Sequence, residues 1–188
     1  MRKIIQFNMM TLDGFFEGPN QDINWHNVDD EFNEFAIEQL ESTDALIFGR
    51  ATYELMAGYW PTPEAIATDP VVAGWMNKLP KFVFSKTLPK TEWHNTTLIK
   101  GDAAPELNIL KQQPGKDLFI FGSADLSETF FRYGLIDEIR VMVNPLILGG
   151  GTTLFKPRRQ KIPLILLKVK TFQNGNVLLF YRVERRSM

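Results

Sequence analysis

The chain has no cysteine among its 188 residues, so disulfides and thiolate metal sites are both excluded. It has only two histidines, His26 and His94, and neither stands at metal-ligand spacing from the other or from a carboxylate. No metal site is expected. No run approaches the roughly 20 apolar residues needed to cross a bilayer. The segment Met1–Phe7 lacks a long apolar leader region and reads as a strand. A net charge of −1 leaves no broad electrostatic footprint for nucleic acid. The short basic cluster Lys156-Pro157-Arg158-Arg159-Gln160-Lys161 reads as a solvated turn. Solenoid repeats and low-complexity linkers are absent, and no Gly-x-Gly-x-x-Gly follows the first strand, which disfavours a pure Rossmann fold. What is left is an ordinary globular composition, 44% hydrophobic and 23% charged, over a length suited to one domain at 1–188. A soluble, cytoplasmic protein is the expectation.

Against that background one feature stands out. The tripeptide Ile-Phe-Gly occurs at 47–49 and again at 120–122, each time closing an apolar run and opening a helix-like stretch. A buried strand that turns through glycine into a helix gathers free backbone N–H groups and the positive end of the helix dipole. Two such junctions at one sheet edge could hold the two ends of a pyrophosphate.

Apolar runs suited to strands lie at 3–9, 45–48, 81–85, 96–99, 117–121, 138–144, 163–171 and 177–184. Those at Leu46-Ile47-Phe48 and Leu118-Phe119-Ile120-Phe121 are apolar on consecutive positions, as strands covered on both faces are. Helical stretches are expected at 29–41, 52–59, 71–78, 105–112 and 124–133, giving an α/β alternation. The last two strands flank a loop, Phe172-Gln173-Asn174-Gly175-Asn176, whose Asn-Gly predicts a hairpin. The sheet should therefore be mixed.

The motifs carry specific chemistry. In Gly49-Arg50-Ala51-Thr52, Gly49 would admit a ligand closely, Arg50 can fork onto a phosphate and Thr52 can add a hydroxyl. Ser85-Lys86-Thr87 would bring a hydroxyl and a cation to the same phosphate. With Arg50 these favour NADP over NAD, since no ribose-binding acid directly follows this strand. Gly122-Ser123-Ala124-Asp125-Leu126 offers small residues and helix-start N–H groups for a pyrophosphate, with Ser123 equally able to cap the helix. Asp125 suits the dipole but would repel a phosphate, so its side chain should turn away. Gly149-Gly150-Gly151 implies a special backbone path or a ligand contact.

Taken in order, five segments resemble the dihydrofolate reductase-like superfamily, in the branch similar to the reductase domain of bacterial riboflavin biosynthesis enzymes. They are Met10-Thr11-Leu12-Asp13-Gly14; Phe48-Gly49-Arg50-Ala51-Thr52-Tyr53; Lys81-Phe82-Val83-Phe84-Ser85-Lys86-Thr87-Leu88; Phe121-Gly122-Ser123-Ala124-Asp125-Leu126; and Leu135–Arg140 leading to Asn144-Pro145-Leu146-Ile147-Leu148-Gly149-Gly150-Gly151. The resemblance implies a three-layer α/β/α fold with a mixed, mostly parallel eight-stranded sheet and a C-terminal antiparallel hairpin.

It also implies NADPH, with Arg50 at the 2′-phosphate and the 122–126 segment at the pyrophosphate. Asp13, on a loop that borders nicotinamide and substrate in related reductases, and Glu17 are the implied candidates to orient substrate or relay a proton. Trp25 and His26 belong to the same loop region. The implied activity is an NADPH-dependent reduction of a small heterocycle resembling 5-amino-6-(5-phosphoribosylamino)uracil. Two alternatives stay open: genuine dihydrofolate reduction, and a non-catalytic NADP-binding dimer. True dihydrofolate reductases place an acid in the first helix, which falls near Phe32–Glu34 here, flanked by Asp30 and Glu34. The apolar C-terminal strands suggest a homodimer.

Overall fold

A computed structural model describes residues 1–157 and 161–184; Arg158-Arg159-Gln160, part of the basic cluster expected to form a turn, lies outside the described residues. The main sheet has eight strands in the order β5 (Thr96–Ile99), β4 (Lys81–Phe84), β3 (Thr43–Gly49), β6 (Asp117–Phe121), β1 (Ile4–Thr11), β7 (Glu138–Asn144), β10 (Val177–Val183) and β9 (Leu164–Thr171). From β5 to β7 every neighbouring pair is parallel, whereas β10 pairs antiparallel with both β7 and β9 and is the one reversed strand of this sheet. The expected mixed sheet, C-terminal hairpin included, is the one found.

Strand periodicity divides the apolar residues between two helical layers. Leu46, Phe48 and Phe119 face one side, where they join Ile5, Phe7 and Met9 of β1 and meet Phe35 and Leu40 of α1 (Asp30–Glu41) and Val72 and Met76 of α4 (Pro70–Lys78). Ala45, Ile47, Leu118 and Ile120 face the other, against Leu107 and Leu110 of α5 (Ala103–Gln112) and Phe130 and Phe131 of α6 (Ala124–Arg132). That is why the runs at 45–48 and 118–121 are apolar at every position. Each such side chain, fully buried, contributes about 1.5–3 kcal/mol. β3, β6 and β1 thus form a stiff platform, and the loops at their carboxyl ends inherit its rigidity.

Two further features have no counterpart in the sequence pattern. A short helix, α3 (Pro63–Thr68), stands between α2 (Arg50–Tyr59) and α4, with Thr62 accepting from Ala65 N at its start. A two-stranded ladder pairs β2 (Phe15–Glu17) with β8 (Thr152–Thr153). Gly151 makes that ladder feasible: its φ is +140°, and a Cβ there would run into the Glu17 carbonyl. The glycine run at 149–151 therefore has a backbone reason.

Candidate functional site

The two Ile-Phe-Gly junctions lie side by side because β3 and β6 are parallel neighbours, with Ile47 paired to Ile120. They are also tied together. Gly49 N donates to Ser123 Oγ at 2.8 Å, and Ser123 N donates to Thr52 Oγ1 at 3.0 Å. Gly122 and Ser123 take left-handed backbone angles, φ +59° and +58°, to turn β6 into α6. A Cβ on Gly122 would stand 2.8 Å from Thr52 Oγ1, so the glycine lets the two junctions touch. Gly49 differs: its φ is −79°, and a Cβ would meet Ser123 Oγ at 3.5 Å, an ordinary contact.

Ser123, the serine read as a possible helix cap, spends its hydroxyl on Gly49 and makes no cap bond to α6. Gly49 cannot cap α2 with a side chain either. The first turns of both helices are therefore left to solvent or an anion. Both open on one cleft of about 830 Å³, lined by Gly49-Arg50-Ala51-Thr52 and by Gly122-Ser123-Ala124-Asp125-Leu126. That volume suits a sizeable cofactor or ligand, whose sites span roughly 300–1,000 Å³.

Charges at the rim fit an anion as well. The Arg50 side chain is 55% exposed and only loosely paired, with Glu54 at 3.8 Å. The Asp125 side chain is 87% exposed and pairs with Lys156, so the rim carries this acid as well as its cations. Lys156 itself lines the cleft, a cation that the solvated-turn reading of its cluster overlooked. Its only sequence signal was that basic run. Thr52 Oγ1 accepts from Ser123 N and from Ser123 Oγ, both at 3.0 Å.

Ser85 and Lys86 sit differently. The pairing of Gly49 with Phe84 brings them to the same sheet edge, one strand further out. There Ser85 Oγ accepts from Leu88 N at 3.0 Å, and Lys86 Nζ donates to Asp102 Oδ1 at 3.1 Å. Neither residue is part of the cleft lining.

The two acids separate as well. Glu17 is half-buried and lines the cleft. Asp13 does not; it accepts from Thr11 Oγ1 at 2.6 Å, from Gly149 N at 2.8 Å and from Leu148 N at 3.1 Å. It staples the β1 loop to the glycine run. The Thr11 hydroxyl, with the Gly149 and Leu148 amides, holds its carboxyl down at about 2 against an ordinary 3.8. A carboxyl lowered by folding stabilises the fold above its ordinary value and loses that contribution as pH falls through the folded value. Asp13→Asn is thus expected to lower stability at neutral pH, and the gap to the parent should close as pH drops from about 4 to about 2. Urea midpoints across that range measure it; a gap that stays constant contradicts the staple.

The wall opposite the junctions comes from α1 and the loop before it. Phe32, Asn33, Ala36, Gln39 and Leu40 line the cleft, whereas Asp30 and Glu34 are exposed and do not. No acid of α1 enters the cleft. A different carboxylate does: Asp69, between α3 and α4, accepts from Asn33 Nδ2 at 3.0 Å. Tertiary placement alone brings Asp69 here, so no local pattern announced it. His26 lines the same cleft, with Nε2 buried and without a protein partner among the described residues. Burial pushes it down to about 4, only partly offset by Asp22, so the ring is neutral at pH 7. Trp25 packs edge-on against it, ring centres 4.5 Å apart.

Comparison with known proteins agrees with this architecture. Residues 2–178 match the RibD C-terminal domain family. The uncharacterized YyaP of Bacillus subtilis (strain 168) is 34% identical over 182 residues, covering 96% of this chain and 94% of that one. Among solved structures, a Shewanella sp. PV-4 protein described as belonging to riboflavin biosynthesis superposes with a TM-score of 0.72 at 23% identity, over 97% of this chain and 99% of that one. A Thermotoga maritima diaminohydroxyphosphoribosylaminopyrimidine deaminase/5-amino-6-(5-phosphoribosylamino)uracil reductase superposes with a TM-score of 0.69 at 15% identity, over 97% of this chain but 56% of that larger one. With a fold, a paired glycine junction and a family match that runs through nearly all its strands, the chain belongs to the RibD C-terminal domain family.

Proposed function

We propose that the chain is an NADPH-dependent reductase acting on a small, nitrogen-rich heterocycle, of the class that includes 5-amino-6-(5-phosphoribosylamino)uracil. The observation that carries this reading is the pair of uncapped helix starts, α2 and α6, opening on one cleft beside Arg50. Gly49–Thr52 would take the adenosine-phosphate end of the cofactor and Gly122–Leu126 the pyrophosphate, with Lys156 as a further cation. Ser85 and Lys86 adjoin Arg50 at the outer edge and would add to the adenosine end. The cofactor supplies a hydride, and the chain must hold an electrophilic carbon beside it and exclude water. Reduction of a C=N or C=O bond also needs a proton on the heteroatom. Glu17, which lines the cleft together with Asp69 and Asp125, is the carboxyl we assign to deliver it.

NADPH oxidation followed by absorbance, against a panel of pyrimidines and related heterocycles with reducible C=N or C=O bonds, tests this reading. Turnover is expected with at least one, and Glu17→Gln should lower kcat by roughly 10²–10⁴ while leaving NADPH affinity unchanged. NADPH binding without oxidation across the panel supports the non-catalytic alternative instead. Dihydrofolate reduction is disfavoured by the exposed positions of Asp30 and Glu34.

A homodimer and a cytoplasmic setting complete the proposal. β9 is an edge strand with Leu166 at 51%, Leu167 at 52% and Val169 at 47% exposure, an apolar row beside unpaired backbone groups. Light scattering after size exclusion should find a dimer, and Leu166→Lys with Leu167→Lys should give a monomer. A parent protein that is monomeric at micromolar concentration refutes the dimer.

A further inference from the structure

One acid in the cleft is placed in a way its own helix does not explain. Asp69 holds the N-cap position of α4, where an aspartate ordinarily accepts from the next turn's N–H groups, yet it makes no cap bond. Its main chain is fully used, Asp69 N donating to Ala65 O at 3.0 Å and its carbonyl accepting from Ala73 N at 2.9 Å. The carboxylate is turned to the cleft, steadied by Asn33 Nδ2 on Oδ1. Its Oδ2 and the Asn33 Oδ1 have no protein donor among the described residues, so the pair presents two free acceptors beside the one N–H that Asn33 Nδ2 does not spend on Asp69. Around them the wall is apolar, with Phe32, Leu40, Val72 and Met76 lining the same cleft. His26 Nε2, buried and without a protein partner among the described residues, adds a third unused polar atom to this cleft.

A half-buried carboxylate facing an apolar slot selects a flat ring that carries N–H donors, since a ring without them would leave the charge unpaired. We infer that Asp69, positioned by Asn33, is the residue that recognises the amino-substituted edge of a heterocyclic substrate. In this chain the recognising acid is thus contributed by the α3–α4 junction while α1 supplies only the amide that aims it. The inference deepens the reductase reading and rests on the same cleft, but it concerns the ring and not the cofactor.

The test uses two probes of one shape, diaminopyrimidine and dimethylpyrimidine, titrated calorimetrically into the full chain with and without NADPH. The parent protein should bind the diamino probe at least about tenfold more tightly than the dimethyl probe, the loss expected for a missing charge-assisted hydrogen bond. Asp69→Asn should reduce diamino affinity at least about tenfold and leave dimethyl affinity unchanged. A parent that does not distinguish the probes, or binds neither at millimolar concentration, overturns the assignment without any variant being needed. So does a folded Asp69→Asn protein of unchanged selectivity. Failure of the reductase reading registers separately: a chain that shows the Asp69-dependent preference but neither binds nor oxidises NADPH keeps this assignment and loses that one.

Discussion

Gly122→Val is expected to lower stability by about 2–5 kcal/mol, whereas Gly49→Ala should change it by less than about 1 kcal/mol in either direction. The two glycines end identical tripeptides but differ in backbone conformation and in what a Cβ would meet. At Gly122 an L-residue must adopt φ +59°, and its Cβ would lie 2.8 Å from Thr52 Oγ1 and 3.0 Å from Thr52 Cγ2. Thr52 cannot swing away without leaving Ser123 N, which donates to its hydroxyl at 3.0 Å, without a partner. The left-handed backbone costs about 1–2 kcal/mol and the overpacking another 1–3. At Gly49 the backbone is extended and a Cβ would find only ordinary contacts. Guanidinium midpoints for the two variants measure the difference. Midpoints shifted equally would mean that the β6–α6 junction is not the strained one.

The same substitution bears on function. Gly122→Val must push α6 away from α2, and the two helix starts then no longer share a wall. NADPH binding should fall with it, while Gly49→Ala should retain it.

How far the sequence foretold this follows from distance along the chain. The sheet was legible because runs such as 45–48 and 118–121 are apolar throughout, and because Asn174-Gly175 marks the hairpin that joins β9 to β10. The two strand-to-helix junctions were legible too, since strand, glycine and helix start are contiguous there. Non-local partnerships were not. Asp13 looked like a catalytic acid on its local context, but the amides it accepts from lie 135 and 136 residues away. Asp69 reaches the cleft only because α3 and α4 meet there and Asn33 stands 36 residues earlier. The β2–β8 ladder, three residues against two, is too short to show any period. Lys156 was hidden by its company: a basic run reads as solvent-facing until the fold brings one of its members against Asp125.

The account's central claim is that the paired junctions hold the phosphates of NADPH, and Arg50 is where that claim is most exposed to measurement. Arg50→Ala removes a planar cation and should leave the fold alone, because the side chain is more than half exposed and its ion pair with Glu54 spans 3.8 Å. A charge-assisted contact to a 2′-phosphate is worth about 1.5–3 kcal/mol, and solvent at this rim favours the lower end of that range. NADH has no such phosphate, so its affinity should hardly move. The decisive measurement is therefore the dissociation constants of NADPH and NADH for the parent and for Arg50→Ala. Selective loss of NADPH affinity, about tenfold or more with NADH nearly unchanged, is the predicted result. Equal losses for the two nucleotides, or a parent that binds neither, would contradict it.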